Sequence, residues 1–160
     1  IKLASPGPVF YLQERVGFGG KRFKLIKFRS MIEDAEKASG ETYSSAEDPR
    51  VTSVGRVLRR FRIDELPQLV NVFKGDMSFV GPRPERPKFV ADFEATLPGY
   101  NERHKVKPGI TGLAQVRSYY DTEVESKLKY DLGYIYNHSF SLDLLIMLET
   151  IKVILVRRGS

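Results

Sequence analysis

The chain contains no cysteine and only two histidines among its 160 residues. The absence of cysteine excludes a disulfide framework and any thiolate metal site. Two histidines argue against a zinc site built mainly from histidine. The sequence shows no signal peptide and no apolar run of about 18 residues, so no membrane-spanning segment is expected within it.

The composition is that of a globular protein with a basic surface. Hydrophobic residues make up 41% of the chain and charged residues 29%, which is unlike a disordered protein. The length corresponds to about one domain. A net charge of +6 favours anionic partners such as nucleotides, nucleic acid or anionic lipid, without choosing among them. The chain begins at Ile1 rather than methionine, and we expect that a segment precedes it in the native protein.

Two adjacent carboxylates form the most distinctive local feature. Asp64 and Glu65 follow three arginines within residues 59–62 and precede Pro67. Such a charged cluster does not suit a hydrophobic core, but its carboxylates could bind a metal ion and act as a nucleophile near a phosphate. A solvated charged patch is the alternative explanation.

The first third of the sequence predicts a β-hairpin followed by irregular chain. Residues 9–16 and 23–28 are rich in aromatic and β-branched side chains and flank a glycine-rich turn at 17–20. That hairpin turn also accounts for the glycines better than a phosphate-binding loop does. A polar helix is predicted over residues 32–38 and a mobile loop over 39–49, which lacks hydrophobic periodicity.

The carboxylate pair is predicted to lie between two helices. Residues 51–61 have apolar side chains at the spacing of one helix face. Pro67 cannot lie deep in a continuous helix because it lacks an amide donor, so Asp64 and Glu65 are expected at or near a helix start. Gly75 is expected to end that second helix. Its buried stripe is predicted to consist of Leu66, Leu69, Val70 and Phe73.

The following segments alternate between helices and proline-rich or glycine-rich loops. Helices are predicted over residues 88–97 and 123–137. Residues 80–85 form a rigid loop, because two prolines restrict its backbone. A turn-rich loop is predicted over 107–112 and a short strand over 113–116. Together with the hairpin, these elements predict an α+β fold that is mostly helical.

The last predicted helix, residues 142–156, is apolar around most of its circumference. Asp143, Glu149 and Lys152 interrupt it too often for a membrane-spanning helix, and a basic pair follows at 157–158. Two interpretations remain open. The helix is either buried in the core or lies partly in a membrane interface with the basic pair at headgroup level.

Several ordered motifs extend over nearly the whole chain. They are PVFY at 8–11, QERVG at 13–17, KFRSM at 27–31, DPRVTSVGRVLRR at 48–60, DELPQL at 64–69, NVFKGDMSFVGPRPE at 71–85 and KPGITGLAQV at 107–116. This set resembles the bacterial sugar transferases, the polyprenyl-phosphate sugar-1-phosphate transferases that begin capsule, exopolysaccharide, O-antigen and glycoprotein glycan assembly. The chain departs from the common pattern at Ile63, Leu113 and 117–120, which leaves substrate preference open but not reaction class.

The resemblance implies a location and a domain organisation. Members of the family enter the bacterial inner membrane through a helix just before the segment that matches the start of this chain, and act on its cytoplasmic face. Residues 1–160 therefore look like a monotopic phosphoglycosyl transferase catalytic domain from a longer membrane protein, without the upstream membrane helix.

The resemblance also implies a reaction. A sugar-1-phosphate moves from a UDP-sugar to polyprenyl phosphate (undecaprenyl phosphate), and UMP is released. Asp64 is then the expected nucleophile that forms a covalent phospho-aspartate, and Glu65 the expected ligand of Mg²⁺. A direct transfer in which Asp64 is only a metal ligand remains an alternative.

Substrate-binding residues are expected around this pair. Arg59 lies close enough in sequence to contact the same phosphate, and Arg83 is fixed between two prolines. Asp131 matches an acidic position of the family and would support the cationic groups. The full set of candidates is Arg59, Lys27, Arg29, Arg83, Pro82, Pro84 and Asp131. For each charged member, a solvated surface position is the alternative.

A second class of function also fits the charge. A non-catalytic basic module could dock on anionic lipid or nucleic acid. That function does not explain why the DELPQL motif lies beside an arginine cluster. We therefore expect the partners to be a UDP-sugar donor, the lipid acceptor and the inner membrane, with no nucleic acid. Oligomeric state cannot be inferred from these residues.

Overall fold

The computed structural model describes residues 1–36, 40, 48–118 and 122–156. The strands in these residues are β1 (Phe10–Val16), β2 (Arg22–Phe28), β3 (Ser78–Val80) and β4 (Gly109–Thr111). The α-helices are α1 (Ser53–Arg60), α2 (Gln68–Phe73), α3 (Pro87–Thr96), α4 (Leu113–Arg117), α5 (Val124–Tyr136) and α6 (Phe140–Val156). The predicted α+β class is confirmed.

The N-terminal hairpin forms as predicted. β1 and β2 pair antiparallel, with Val16 opposite Arg22 at the turn and Phe10 opposite Phe28 at the open end. Gly19 and Gly20 have φ values of 63° and 75°, a left-handed conformation that glycine adopts without steric cost. The glycines of this segment thus serve the turn.

The polar helix predicted over residues 32–38 is wrong for the residues that the structure describes. Residues 33–36 form turns, and Asp34 has a φ of 57°, which no right-handed helix accommodates. Residues 37–39 and most of the predicted loop at 39–49 lie outside the described residues. Met31 instead makes an isolated antiparallel bridge with Val51, which brings the start of α1 beside the end of the hairpin.

α1 packs closely against the residue that follows the hairpin. Thr52 caps the helix by accepting a hydrogen bond from the amide of Gly55 at 2.9 Å. A Cβ atom at Gly55 would lie 1.8 Å from the carbonyl oxygen of Ser30, so only glycine permits this approach. The contact fixes α1, and the arginines at its C-terminal end, relative to β2.

The turn that carries the carboxylate pair lies between two helices, as predicted. Ile63–Glu65 forms a 3₁₀ turn, and α2 starts immediately after Pro67. Gly75, with a φ of 83°, follows the end of α2. The chain enters the turn through Arg62, whose φ of 53° is unusual for a residue with a side chain.

The predicted buried stripe of α2 is wrong, because three of its members face outward. Leu66 is 54% exposed, Val70 44% and Phe73 89%. The inward face is polar instead: Asn71 accepts a hydrogen bond from the amide of Ile26 at 3.1 Å and donates one to the carbonyl of Lys24 at 2.8 Å. α2 therefore satisfies backbone groups of the hairpin with its polar side and leaves its apolar side uncovered.

A short parallel pair of strands lies between the hairpin region and the last helices. β3 and β4 pair with Ser78 opposite Gly109 and Val80 opposite Thr111. The strand predicted at residues 113–116 is wrong, since these residues form α4 and the strand precedes them. A Cβ at Gly109 would lie 2.1 Å from the amide nitrogen of Gly81, so pairing at this point depends on glycine.

Two small clusters of buried apolar side chains occur in the part of the chain that the structure describes. One contains Val16, Val90, Tyr100 and Leu128, and the other contains Val80, Tyr134 and Ile146. α3, α5 and α6 were predicted close to where they occur.

The last helix is not a buried core helix. Ile146 is its one fully buried side chain among the described residues, while Leu148, Ile151 and Leu155 are each more than half exposed. The described part of the chain contains no helix with the length and hydropathy needed to cross a bilayer.

Candidate active site

Glu65 is the centre of a buried cationic cluster. Lys27 on β2 donates to its Oε1 atom at 3.1 Å, and Arg83 from the loop after β3 donates to the same oxygen at 3.0 Å. Arg62 contacts Oε2 at 3.4 Å. Two segments that are distant in sequence, β2 and the loop after β3, thus converge with the neighbouring Arg62 on one carboxylate.

The surrounding cations set the charge state of Glu65. Burial alone would raise the pKa of this carboxyl, but Lys27, Arg83 and Arg62 hold the pKa well below its ordinary value. Burial lowers the pKa of Lys27, and the charge of Glu65 opposes that effect. Glu65 also raises the pKa of Arg83. The glutamate is therefore ionised, and the cluster carries a net positive charge.

Asp64 lies next to Glu65 in the chain but has different surroundings. Its side chain is buried, with the residue 8% exposed, and its carboxylate makes no hydrogen bond to any residue that the structure describes. Burial and the charge of Glu65 raise the pKa of Asp64, while Lys27 and the nearby arginines partly oppose this. Asp64 is consequently a carboxylate whose oxygens are not held by neighbouring donors.

Arg59 reaches toward the pair from the end of α1. Its Nε atom donates to the hydroxyl of Ser30 at 2.9 Å, which directs the side chain along the close contact between α1 and β2. Its positive charge acts on Asp64. Of the predicted substrate-binding cations, the structure brings Arg59, Lys27 and Arg83 together at the carboxylates.

Arg29 is engaged elsewhere. Its guanidinium donates to the carbonyl oxygens of Pro8 at 2.7 Å and of Ser5 at 3.0 Å, and also to that of Pro6. These three bonds hold the N-terminal segment against the hairpin. The side chain is buried by these contacts, and none of them involves the carboxylate pair.

The loop that carries Arg83 is anchored by its backbone. The carbonyl of Pro82 accepts from the amide of Gly109 at 3.0 Å, and that of Pro84 accepts from Arg15 at 2.9 Å. Arg103 donates to the carbonyl of Arg83 itself at 3.0 Å. The two prolines thus fix the loop on either side of Arg83.

Asp131 takes part in the site through Arg103 and not by contacting the carboxylate pair. Its Oδ2 atom accepts two bonds from the Arg103 guanidinium, at 2.6 Å from Nη2 and 3.2 Å from Nε. Burial raises the pKa of Tyr100 to about 12, and its hydroxyl oxygen accepts a third bond from Arg103 at 2.6 Å. Asp131 therefore fixes the arginine that holds the Arg83 backbone.

Two arginines at this site were not among the predicted residues. Arg62 stands within the arginine cluster that precedes the carboxylates, and that cluster was a usable signal. Arg103 had no local signal, because it is separated by 28 residues from Asp131 and by 20 from Arg83.

Glu65 and Asp64 are the residues of this site that could hold a magnesium ion. The described residues contain no group of three or more histidine, cysteine, aspartate or glutamate side chains that could hold a metal. A carboxylate accepts about four hydrogen bonds, so the three donors on Glu65 leave about one position. With the unbonded oxygens of Asp64, this donor set suits Mg²⁺, which takes most of its other ligands from water and phosphates.

Comparisons with known proteins identify the family of this chain. The model of the bacterial sugar transferase family matches residues 1–157. The chain is 49% identical over 163 residues to a UDP-N-acetylgalactosamine-undecaprenyl-phosphate N-acetylgalactosaminephosphotransferase of Aeromonas hydrophila, a match that covers 100% of this chain and 38% of that protein. It is 46% identical over 156 residues to a UDP-glucose:undecaprenyl-phosphate glucose-1-phosphate transferase of Escherichia coli (strain K12), covering 94% of this chain and 33% of that protein.

A shorter relative is covered more fully. The chain is 41% identical over 165 residues to the exopolysaccharide production protein PSS of Rhizobium leguminosarum bv. phaseoli, covering 98% of this chain and 82% of that protein. By contrast, it spans only about a third of the length of the two longer relatives, 38% and 33%. With nearly the whole chain matched by the family model, the chain belongs to the bacterial sugar transferase family.

Proposed function

We propose that residues 1–160 form a catalytic domain that transfers a sugar-1-phosphate from a UDP-sugar to undecaprenyl phosphate and releases UMP. The observation that carries this proposal is the contrast between two adjacent carboxylates. Glu65 is bound by three cations, while Asp64 beside it has no hydrogen-bond donor among the described residues. One acid organises positive charge, and the other is free to react.

The reaction proceeds in two displacements at one phosphorus atom. An oxygen of Asp64 attacks the β-phosphorus of the UDP-sugar, and the bond to the bridging oxygen breaks as UMP departs with the electron pair. A phosphate oxygen of the lipid acceptor then attacks the same phosphorus. Asp64 leaves as a carboxylate, and the product is a polyprenyl diphosphate sugar.

The cationic cluster makes the first attack possible. Like charges about 4 Å apart repel by roughly 4 kcal/mol at an effective dielectric near 20, so an anionic nucleophile needs positive charge beside it. Lys27, Arg83 and Arg59 supply that charge around Asp64. They are fixed by β2, by an anchored loop and by α1, so little reorganisation is needed when a diphosphate binds.

Glu65 would hold Mg²⁺, with Asp64 as a further carboxylate ligand. When bound, the ion would neutralise charge on the diphosphate oxygens and orient them. Glu65 also holds Lys27 and Arg83 in place through its Oε1 atom.

The proposed location is the cytoplasmic face of the inner membrane. Phe61, Leu66 and Phe79 are exposed apolar residues from three separate segments, and they line one cavity together with Val153 and Ile154 of α6. Apolar residues of the carboxylate turn, β3 and α6 therefore lie near each other. Such a surface suits the boundary between headgroups and acyl chains.

The experiment that tests the function separates the two displacements. Full-length protein is mixed with UDP-sugars labelled in the sugar-phosphate, first without and then with undecaprenyl phosphate. We expect UMP release and a protein-bound label before the lipid is added, and loss of both in Asp64→Asn. UMP release that needs both substrates at once would indicate direct transfer, with Asp64 as a metal ligand only. No UMP release from any UDP-sugar would contradict the proposed activity.

A further inference from the structure

A cavity of about 250 Å³ lies beside the carboxylate turn and is used by none of the steps above. Its walls are mostly apolar and come from the turn, α2, β3, β4, α4 and α6. The apolar lining includes Phe61, Leu66, Leu69, Phe79, Val153 and Ile154. Glu65 and Arg62 line the same cavity, so a charged edge adjoins an apolar interior.

We propose that this cavity holds the first isoprenoid carbons of the lipid acceptor, with the acceptor phosphate at Arg62. The inference rests on the proposed function and adds to it the place where the second substrate binds. The ligand is a long-chain isoprenyl monophosphate, whose charged group and hydrocarbon chain are joined directly. The cavity presents that same combination, a guanidinium next to apolar side chains.

The size of the cavity favours a short hydrocarbon segment over a nucleotide sugar. A dry apolar cavity of about 150 Å³ is large enough for benzene, while pockets for drug-sized ligands measure about 300–1,000 Å³. About 250 Å³ therefore has room for roughly one or two five-carbon units. A nucleotide sugar is larger, and its many hydroxyl groups would meet few partners on these walls.

The cavity opens toward the uncovered apolar surface. Phe61, Leu66 and Phe79 line it and are each at least 45% exposed, so part of the wall reaches solvent. On α6, the exposed residues Ile151 and Leu155 flank the lining residues Val153 and Ile154. The remainder of a long isoprenoid chain can thus leave the cavity over an apolar surface.

Arg62 is suited to receive the incoming phosphate. Its side chain is 31% exposed, and its contact with Glu65 is the longest of the three at 3.4 Å. It can therefore turn to a phosphate oxygen at little cost while Lys27 and Arg83 remain on Glu65. Asp64 is not itself a lining residue, but it directly precedes the lining residue Glu65 in the same 3₁₀ turn. The proposal therefore places the acceptor phosphate beside the turn that carries the nucleophile.

The first test fills the cavity and follows the two displacements separately in the full-length protein. Val153→Phe adds bulk to the wall, and Leu148→Phe is a matched control on the same helix outside the lining. We expect Val153→Phe to raise the acceptor KM about tenfold, because several buried methylene groups lose their site. Formation of the sugar-phosphate enzyme from UDP-sugar should stay within about twofold of wild type, and the control should alter neither step. An equal fall in both steps, or an unchanged acceptor KM, would overturn the inference.

A shorter acceptor tests whether the cavity holds the isoprene units next to the phosphate. (2Z,6Z)-Farnesyl phosphate begins with the same two Z isoprene units as undecaprenyl phosphate, so its KM should respond to Val153→Phe by a similar factor. If only the long acceptor responds, the cavity does not hold the units next to the phosphate.

The second test uses only the wild-type protein and does not require catalytic turnover. Wild-type protein is photolabelled with a (2Z,6Z)-farnesyl phosphate that carries a diazirine on its first isoprene unit. We expect labelled peptides to contain Leu66 or Ile154, and unlabelled undecaprenyl phosphate to compete. Labelling confined to other segments would refute the cavity assignment, as would displacement by UDP-sugar alone. A wild-type protein that labels as expected but releases no UMP would contradict the proposed function and leave the lipid-phosphate site standing.

Discussion

Lys27 donates a hydrogen bond to Oε1 of Glu65 at 3.1 Å and so connects strand β2 to the carboxylate turn across 38 residues of sequence. Arg83 donates to the same oxygen at 3.0 Å. Two cations on one carboxylate oxygen leave positive charge in excess beside Asp64. The diphosphate of a UDP-sugar would bind next to this positive charge.

Removing the Lys27 charge should slow the first displacement. We expect Lys27→Met to lower the rate of UMP release by about 10²-fold, because one positioned donor to developing charge is lost. Lys24→Met is the matched control, since Lys24 is an exposed lysine on the same strand. Single-turnover UMP release measures both variants. Similar rates for the two would show that the Lys27 charge has no role in the reaction.

The two carboxylates should differ in their effects on stability. Asp64 is buried without a hydrogen-bond donor among the described residues and is repelled by Glu65, so Asp64→Asn should leave Tm unchanged or raise it while activity falls by about 10³-fold or more. Glu65→Gln leaves Lys27, Arg83 and Arg62 without their counter-charge. Breaking a buried pair of this kind costs about 3–5 kcal/mol, so Tm should drop clearly. Thermal unfolding of both variants decides the point, and a lower Tm for Asp64→Asn than for Glu65→Gln would contradict it.

The rate of the first displacement should depend on pH in a bell-shaped manner. Asp64 must be ionised to attack, and its pKa is raised from the ordinary 3.8, so the acid limb should lie above pH 3.8. Lys27 must be charged, and its pKa is lowered from 10.5, so the basic limb should lie below pH 10.5. Lys27→Arg should move the basic limb upward, because arginine has an ordinary pKa of about 12.5 or more. If the basic limb of the pH profile does not move in this variant, a group other than Lys27 is responsible for it.

The same two carboxyl groups contribute to stability with opposite signs. The pKa of Glu65 is lowered by folding, so its contribution is present above its unfolded pKa and is lost as pH falls toward the folded value. The pKa of Asp64 is raised, so its contribution is present below its unfolded pKa and is lost as pH rises through the folded value. In Asp64→Asn the second loss should disappear, which unfolding measured between acid and neutral pH can detect.

Arg103 and Asp131 should act on activity through the position of Arg83. Asp131→Ala leaves the buried guanidinium of Arg103 without its carboxylate partner. We expect this variant to destabilise the protein by about 3–5 kcal/mol. The double variant Arg103→Met/Asp131→Leu removes both charges and should recover most of that stability. It still lacks the bond from Arg103 to the Arg83 carbonyl, so its kcat for UMP release should stay well below wild type. Full recovery of kcat together with stability would make the pair purely structural.

Charge on the exposed side of α6 should weaken membrane binding. We expect Leu148→Glu and Leu155→Glu to reduce co-sedimentation with anionic phospholipid vesicles, because each puts a carboxylate where the proposed surface meets acyl chains. Phe18→Glu, at an exposed apolar residue in the hairpin turn, is the control. If all three variants bind vesicles equally well, α6 is not the membrane-facing element.

Several features were predictable because their causes are local. The hairpin follows from two segments rich in aromatic and β-branched residues around glycines that adopt positive φ. The placement of Asp64 and Glu65 near a helix start follows from the missing amide of Pro67. The errors at α2 and β4 have causes that are not local. α2 turns its polar side inward because Asn71 meets backbone groups of the hairpin, and β4 forms where Gly109 allows a close approach to Gly81.

The sequence by itself determined the family and the order of most helices and strands, and it singled out the carboxylate pair as the candidate site, since motifs, glycines and prolines act within a few residues of one another. Only the tertiary structure decided which cations meet Glu65, that Asp131 works through Arg103, and that Arg29 holds the N-terminal segment. The physical reason is distance along the chain. A charge buried away from water must be paired with whatever group the folded backbone brings within hydrogen-bond reach, and no local pattern records that partner.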